Sequence, residues 1–301
     1  MKIGTTSDFA AKTFGDLAAP AIIKKAGFDS VDFSMFIYPQ KGEPYTLSDA
    51  DFDDYFRKTA KEYRKNNLEI GQTHAPFPTW TDEPEDDEWR IGILKKSIRA
   101  TAILGCKYTV IHPAMPKERK YNAYSQQTRE LNFERYKRLI PELEKYDVYC
   151  AIENMFSWDN QKQMICPTTC TGAEEMADYI DTLNEISPRF VACLDVGHAN
   201  LIHCEGFENI NPAHMVSVLG ERLKIMHLHD NDGRNDLHSC PGICSLDYKP
   251  FFEALHEIGY SGVFSLEADS FPYAFGASLA DESLALMYRQ TRRLLNENGF
   301  E

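Results

Sequence analysis

Short runs of β-branched and aromatic residues alternate along the whole chain with longer segments in which apolar positions recur every three or four residues. The short runs are "KIGTTS", "SVDFSM", "EIGQTHA", "YTVIHPA", "VYCAIENM", "FVACLDVG", "LKIMHLHD" and "GVFSLEAD". They predict eight β-strands. The longer segments predict helices over 48–67, 84–105, 124–147, 171–185, 248–259 and 277–298, with shorter helices in "DLAAPAIIKKAG" and "NPAHMVSVLGER". Strand and helix in regular alternation is the pattern of βα units. Eight such units closing on themselves give an α/β fold, a (β/α)8 TIM barrel forming a single domain over residues 1–301, with an open doubly wound sheet as the rival arrangement. No Pro/Gly/Ser linker or low-complexity run interrupts the alternation.

Composition narrows the partners. The chain carries 46 acidic against 32 basic residues in 301, a formal charge of -14, which disfavours a surface built for a polyanion such as nucleic acid. The start "MKIGTTSDFA" lacks the cationic and apolar stretches of a signal peptide, and nowhere do about 18 apolar residues run together, so a soluble cytoplasmic protein without a membrane partner is expected. In that compartment the eight cysteines are expected as reduced thiols, and the loosely spaced "CPTTC" and "CPGIC" as incidental loop cysteines rather than zinc sites.

The candidate chemistry lies where the strands end. The third strand ends with His74, the fourth with His112, the fifth with Glu153, the sixth with Asp195 and His198, the seventh with His227, and the eighth with Glu267, while Asp236 and His238 follow the seventh in its loop. In a barrel these ends form one rim, where the βα loops are free to vary and active sites sit. One such residue alone is ordinarily a helix cap or a satisfied core group. Nine together imply a divalent cation, because neighbouring carboxylates are costly to bury without one, and imidazole with carboxylate suits Mn or Zn. In "HLHDNDGRNDLHSCPG", His227 and His229 are two apart and so face the same way if the strand persists. One is expected to bind metal and the other to contact substrate or cap the loop. Asp230, Asn231 and Asp232 with Gly233 are what a tight turn wants.

Taken in order, "HAPF", "IHP", "IEN", "LDVGHAN", "HLHDNDGRNDLHSCPG" and "SLEAD" resemble the xylose-isomerase-like TIM-barrel superfamily, which includes sugar and sugar-phosphate isomerases and epimerases as well as apurinic-site endonucleases. Its ketose epimerases hold one divalent metal with two glutamates, an aspartate and a histidine. By that likeness the ligands here are Glu153, Asp195, His227 and Glu267, and His198 hydrogen-bonds the substrate. The endonuclease branch holds three zinc ions with nine residues, and the further ligands would be His74, His112, His198, Asp236 and His238. The resemblance therefore implies one to three ions. One departure is that "CPGICSLDY" places Cys244 where the relatives' P-G-x-G loop has its second glycine.

The expected activity is a metal-dependent isomerase or epimerase of a sugar, sugar phosphate or polyol. A metal chelating a carbonyl and its neighbouring hydroxyl acidifies the adjacent C–H by stabilising an enediolate, and Glu153 and Glu267 are the expected proton-transfer pair. Substrate contacts are expected from His198, His74, His112, Trp80, Phe156 and Trp158, with Phe77, Phe271, Tyr273 and Phe275 on the same rim. Arg234, with Lys117, Arg119 and Lys120, forms the candidate phosphate contact. The aromatics equally suit a homo-oligomer interface. Three alternatives use the same residues: a dehydratase or lyase acting on a cyclic polyol or hydroxy acid, an apurinic-site endonuclease with a trinuclear zinc site, and a catalytically silent carbohydrate-binding barrel.

Overall fold

A computed structural model of the chain describes residues 1–115, 126–203 and 209–301. All eight expected strands are present: Ile3–Thr6, Ser30–Ser34, Glu69–His74, Tyr108–Val110, Tyr149–Glu153, Phe190–Asp195, Leu223–His227 and Phe264–Leu266. They pair in parallel in chain order, and the eighth returns to lie beside the first, with Ile3 opposite Phe264. The seam between the seventh and eighth is held by one bridge, Leu228 to Leu266, with Leu228 N donating to Ser265 O at 2.8 Å and Glu267 N to Leu228 O at 3.2 Å. The architecture is thus a nearly closed TIM barrel with helices between the strands.

The period of two along each strand sorts the side chains. Ile111, Cys150, Ile152, Leu194, Met226 and Leu266 face outward into the large core shared with the helices. Val110, Ala151, Val191, Cys193 and Ile225 make a second, smaller apolar cluster inside the barrel, with Tyr108 and Tyr149 against it. The next inward positions, two residues further along, are His112 after Val110, Glu153 after Ala151, Asp195 after Cys193 and His227 after Ile225. The barrel is filled with apolar atoms up to one layer, and above that layer the inward positions carry imidazole and carboxylate groups.

The helices largely follow the expected pattern. Asp49–Lys65 is capped by Ser48, whose side chain accepts from Asp51 N. Pro84–Leu104 ends at Gly105 in the left-handed conformation, φ 82°. Ala173–Asn184, Tyr248–Glu257 and Ala280–Glu297 fall within their expected ranges, and the two shorter helices are Ala19–Ala26 and Pro212–Leu219. The single helix expected over 124–147 is instead two, Gln126–Lys137 and Ile140–Tyr146. Pro141 explains the break, since it lacks the N–H that would continue the ladder and sits in the first turn of the second helix. Also unexpected are the helix Asp8–Phe14 after the first strand and an antiparallel hairpin, Phe156–Asp159 with Met164–Pro167, after the fifth. Among the described residues, no helix is long and apolar enough to cross a membrane.

Candidate metal centre

His227 organises the centre. Its ring is fully buried, and its Nε2 donates to Asp32 Oδ2 at 2.8 Å. Gln72 holds that same oxygen with an Nε2 contact of 3.0 Å. Fixing the Nε2 proton leaves His227 Nδ1 to face the acids: Glu153 Oε1 and Glu267 Oε2 at 3.2 Å each, and Asp195 Oδ2 at 4.0 Å. The ligand atoms of these four residues all lie within 4.8 Å of one another.

Glu153 reaches two ways. Its Oε2 is 2.9 Å from His112 Nε2 and 3.5 Å from His74 Nε2, and those two nitrogens are 3.0 Å apart. His74 Nδ1 donates to Ala75 O at 2.8 Å, which leaves Nε2 free of its proton. A third group joins His198, His229, Asp236 and His238. All nine residues proposed from the strand ends are therefore brought to one mouth.

Local structure explains how. Asp195 caps the short helix Val196–Asn200, its Oδ1 accepting from His198 N at 2.6 Å, so the cap that starts this helix also turns His198 back over the mouth. Asn154 ties the fifth and sixth strands together, donating to Asp195 O at 2.9 Å and accepting from Asp195 N at 2.7 Å. The loop after the seventh strand is wound around Asp230, which is fully buried. Its carboxylate accepts four backbone N–H groups, from Asn231, Gly242, Cys244 and Leu246, at 2.9 to 3.1 Å. The tight-turn role expected of Asp230 is thus larger, since it anchors the whole segment that carries Asp236 and His238. Gly242 has a left-handed φ of 80°, whereas Cys244 is not among the positive-φ residues, so the backbone at 244 does not call for glycine.

The donor set fits a cation. Among the described residues, Glu153 Oε2, Asp195 Oδ2, Asp236 Oδ1 and both nitrogens of His229 are buried without a hydrogen-bond partner. Each such orphan costs about 1–3 kcal/mol, and more when charged. Burial alone would push the Glu153 carboxyl up, but His227 and His112 beside it hold it well below the usual carboxylate range. The Asp195 carboxyl is held low against burial in the same way by His198 and His229. Burial would lower the His238 ring, but the hydrogen bond to Asp236 and the nearby Glu267 push it up to about 11. A field that favours protons on imidazoles would favour a divalent cation for the same reason.

These groups open into a cavity of about 640 Å³ with two different walls. Phe36, Phe77, Phe156 and Trp158 form an aromatic wall, and Phe36 stacks on Phe77 with ring centroids 5.8 Å apart. Thr6, Asp8, Asp269 and Tyr273 form a polar wall, where the Tyr273 hydroxyl donates to Asp8 Oδ1 at 2.7 Å and Lys12 pairs with the same oxygen at 3.0 Å.

Two expected substrate contacts lie elsewhere. The Trp80 indole donates to Asp82 at 2.7 Å and lies against the Arg135 guanidinium, away from the cavity lining. Arg234 is exposed on the outer turn of the loop, because the Asp232 side chain takes its backbone N–H and turns the chain outward. Lys117, Arg119 and Lys120 lie outside the described residues. Sequence reasoning missed Asp32, Gln72, Asn154, Asp8 and Phe36. For Asp32 a signal existed, a carboxylate at the middle inward position of a strand whose other inward residues are Ser30 and Ser34.

Comparison with known proteins identifies the family. An uncharacterized protein of Methanocaldococcus jannaschii is 27% identical over 200 residues, covering 64% of this chain, and this chain spans 62% of that relative's length. The probable endonuclease 4 of Mycoplasma mobile is 26% identical over 225 residues, 71% of this chain and 72% of that protein. The crystal structure of a D-tagatose 3-epimerase-like protein superposes with a TM-score of 0.68 at 22% identity, covering 97% of this chain and all of the other, which is a likeness of fold. The sequence signature of the xylose isomerase-like TIM barrel matches residues 20–290, and the chain belongs to that family.

Proposed function

We propose that this protein is a metal-dependent epimerase or isomerase of a polyhydroxy ketone or aldehyde, with Glu153 and Glu267 exchanging the proton next to the carbonyl. The observation that carries the reading is the meeting of these two carboxylates with Asp195 at His227 Nδ1, beside a cavity with ample room for a sugar. A divalent ion held by Glu153, Asp195, His227 and Glu267 supplies Lewis acidity toward a carbonyl and its neighbouring hydroxyl. Glu267, whose side chain is 21% exposed, would take a proton from bound substrate, and Glu153 would return one. Asp8 and Tyr273 serve hydroxyls remote from that carbon, and the aromatic wall covers the C–H face and excludes water. The likeness to the D-tagatose 3-epimerase-like structure supports this reading. The test is incubation of zinc- or manganese-loaded protein with a panel of free and phosphorylated ketoses in deuterium oxide. Deuterium entering the carbon beside the carbonyl, and its loss with chelator, is expected. No exchange with any member would overturn the proposal.

A second reading, hydrolysis of a phosphodiester at an apurinic site, is favoured by the convergence of all nine groups and by the similarity to the Mycoplasma mobile protein. The formal charge of -14 and the acidic wall weigh against it. Cleavage of an abasic duplex at ordinary salt would reverse the order of the two readings.

A further inference from the structure

We infer that His229 is the fourth protein ligand of a closed metal site formed with His198, Asp236 and His238, a structural site separate from the one at Glu267. The inference rests on the metal-dependent reading above, and it assigns His229 a role that the strand-end pattern left between substrate contact and loop cap.

Three observations carry it. First, the ligand atoms of the four residues lie within 4.8 Å of one another, and the three imidazole Nε2 atoms converge on Asp236: His238 at 2.9 Å from Oδ2, His229 at 3.7 Å from Oδ1 and His198 at 3.9 Å from Oδ2. Tetrahedral zinc with bonds of about 2.0–2.1 Å separates its ligand atoms by roughly 3.4 Å, so the observed separations bracket that figure. Second, two of the rings are pre-set. His198 Nδ1 donates to Asn154 O at 2.9 Å and His238 Nδ1 to Glu267 O at 2.7 Å, which frees both Nε2 atoms and is the outer support that ligating imidazoles use. Third, His229 is fully buried, yet neither of its nitrogens has a hydrogen-bond partner among the described residues. Its Nε2 is 3.1 Å from Asp195 Oδ1, an oxygen that already accepts from His198 N. The backbone yields space for this ring: a Cβ on Gly197 would stand 2.0 Å from His229 Cε1, so residue 197 has to be glycine for the ring to sit there.

Four protein ligands fill a tetrahedral shell, whereas hydrolytic sites keep a position open for water or substrate. An ion here would pin the Asp230-wound loop to the ends of the sixth and seventh strands. It would also leave no free position on this ion for a phosphodiester oxygen, and so favours the carbon-acid chemistry over the hydrolytic reading.

The test is a crystal of the zinc-loaded protein with anomalous scattering measured at the zinc edge, together with metal content after chelator dialysis for the parent and His229→Ala. The expected result is a peak held by the side chains of His198, His229, Asp236 and His238 with no solvent ligand, and loss of that one chelator-resistant ion in the variant. A peak whose coordination omits His229, or unchanged chelator-resistant content in the variant, overturns the inference. If an ion sits at Glu153, Asp195, His227 and Glu267 while this cluster holds none, the inference alone fails. If neither cluster holds an ion, the metal-dependent reading falls with it.

Discussion

Asp32 and His227 lie 195 residues apart in sequence and 2.8 Å apart in space, carboxylate Oδ2 against imidazole Nε2, and this contact settles which nitrogen of His227 faces the acids. An outer carboxylate of this kind orients the ring and raises its basicity, and its loss typically weakens metal binding about 10- to 100-fold. Asp32→Asn keeps the shape while removing the charge, so it should weaken zinc binding by roughly tenfold, and Asp32→Ala by more. Competition against a chromophoric chelator measures this. Unchanged affinity in both variants would mean that Gln72 and the surrounding barrel hold the ring without Asp32.

Glu153 and Glu267 should differ when changed to glutamine. Glu153 is buried and touches His74, His112 and His227, so it belongs to two candidate ligand groups at once. Glu153→Gln should therefore lower bound metal as well as turnover. Glu267 faces the cavity, and Glu267→Gln should lower turnover about 100- to 10,000-fold, the usual range for a lost proton-transfer group, with a smaller loss of metal. Metal content measured beside solvent-exchange rates separates the two. Equal metal loss in both would reduce Glu267 to a ligand.

The residues that were legible in the sequence share one property: they close a strand on its inward face. His74, His112, Glu153, Asp195, His227 and Glu267 stand at or just past the last paired residue of six strands, so locating the strands located them. Asp32 was not legible in this way. It sits one pleat earlier, and its importance comes from a ring on the opposite side of the barrel, a relation fixed by closure rather than by local pattern. The hairpin Phe156–Pro167 was hidden because "FSWDNQKQMICP" offers two four-residue strands around a polar turn, too short to stand out from a loop. Trp80 and Arg234 were misplaced because closeness to a strand end in sequence does not fix direction. The Trp80 indole is drawn to Asp82, and Arg234 follows the turn at Asp232.

Asp230 should matter more than its distance from the cavity suggests. Each of its oxygens accepts two backbone N–H groups in a fully buried site. Asp230→Asn would aim an amide N–H₂ at two of those donors. With charge-assisted bonds contributing about 1.5–3 kcal/mol each, the expected loss of stability is roughly 3–5 kcal/mol by denaturant titration. Amide exchange at Gly242, Cys244 and Leu246 should quicken as well. A variant as stable as the parent would show that the loop holds its path without the carboxylate.

Glu175, which does not line the cavity, offers a test of stability against pH. It lies in the first turn of Ala173–Asn184, where the helix dipole favours a carboxylate, and its Oε2 accepts from Cys170 N at 2.9 Å. Burial outweighs both and pushes the carboxyl up to about 8. An unfolded chain releases this proton near pH ~4.3. Between those values the unfolded state has lost the proton while the folded state keeps it, so the folded state loses ground as pH rises through the window and the loss levels off above about 8. Glu175→Gln carries no titrating proton and can still accept from Cys170 N. The variant should match the parent near pH 4.5 and become more stable than it towards pH 8, by an amount on the order of 2–4 kcal/mol. Melting curves of both proteins across this range provide the comparison. A difference that stays constant with pH would show that Glu175 ionises in the folded protein as readily as in the unfolded chain.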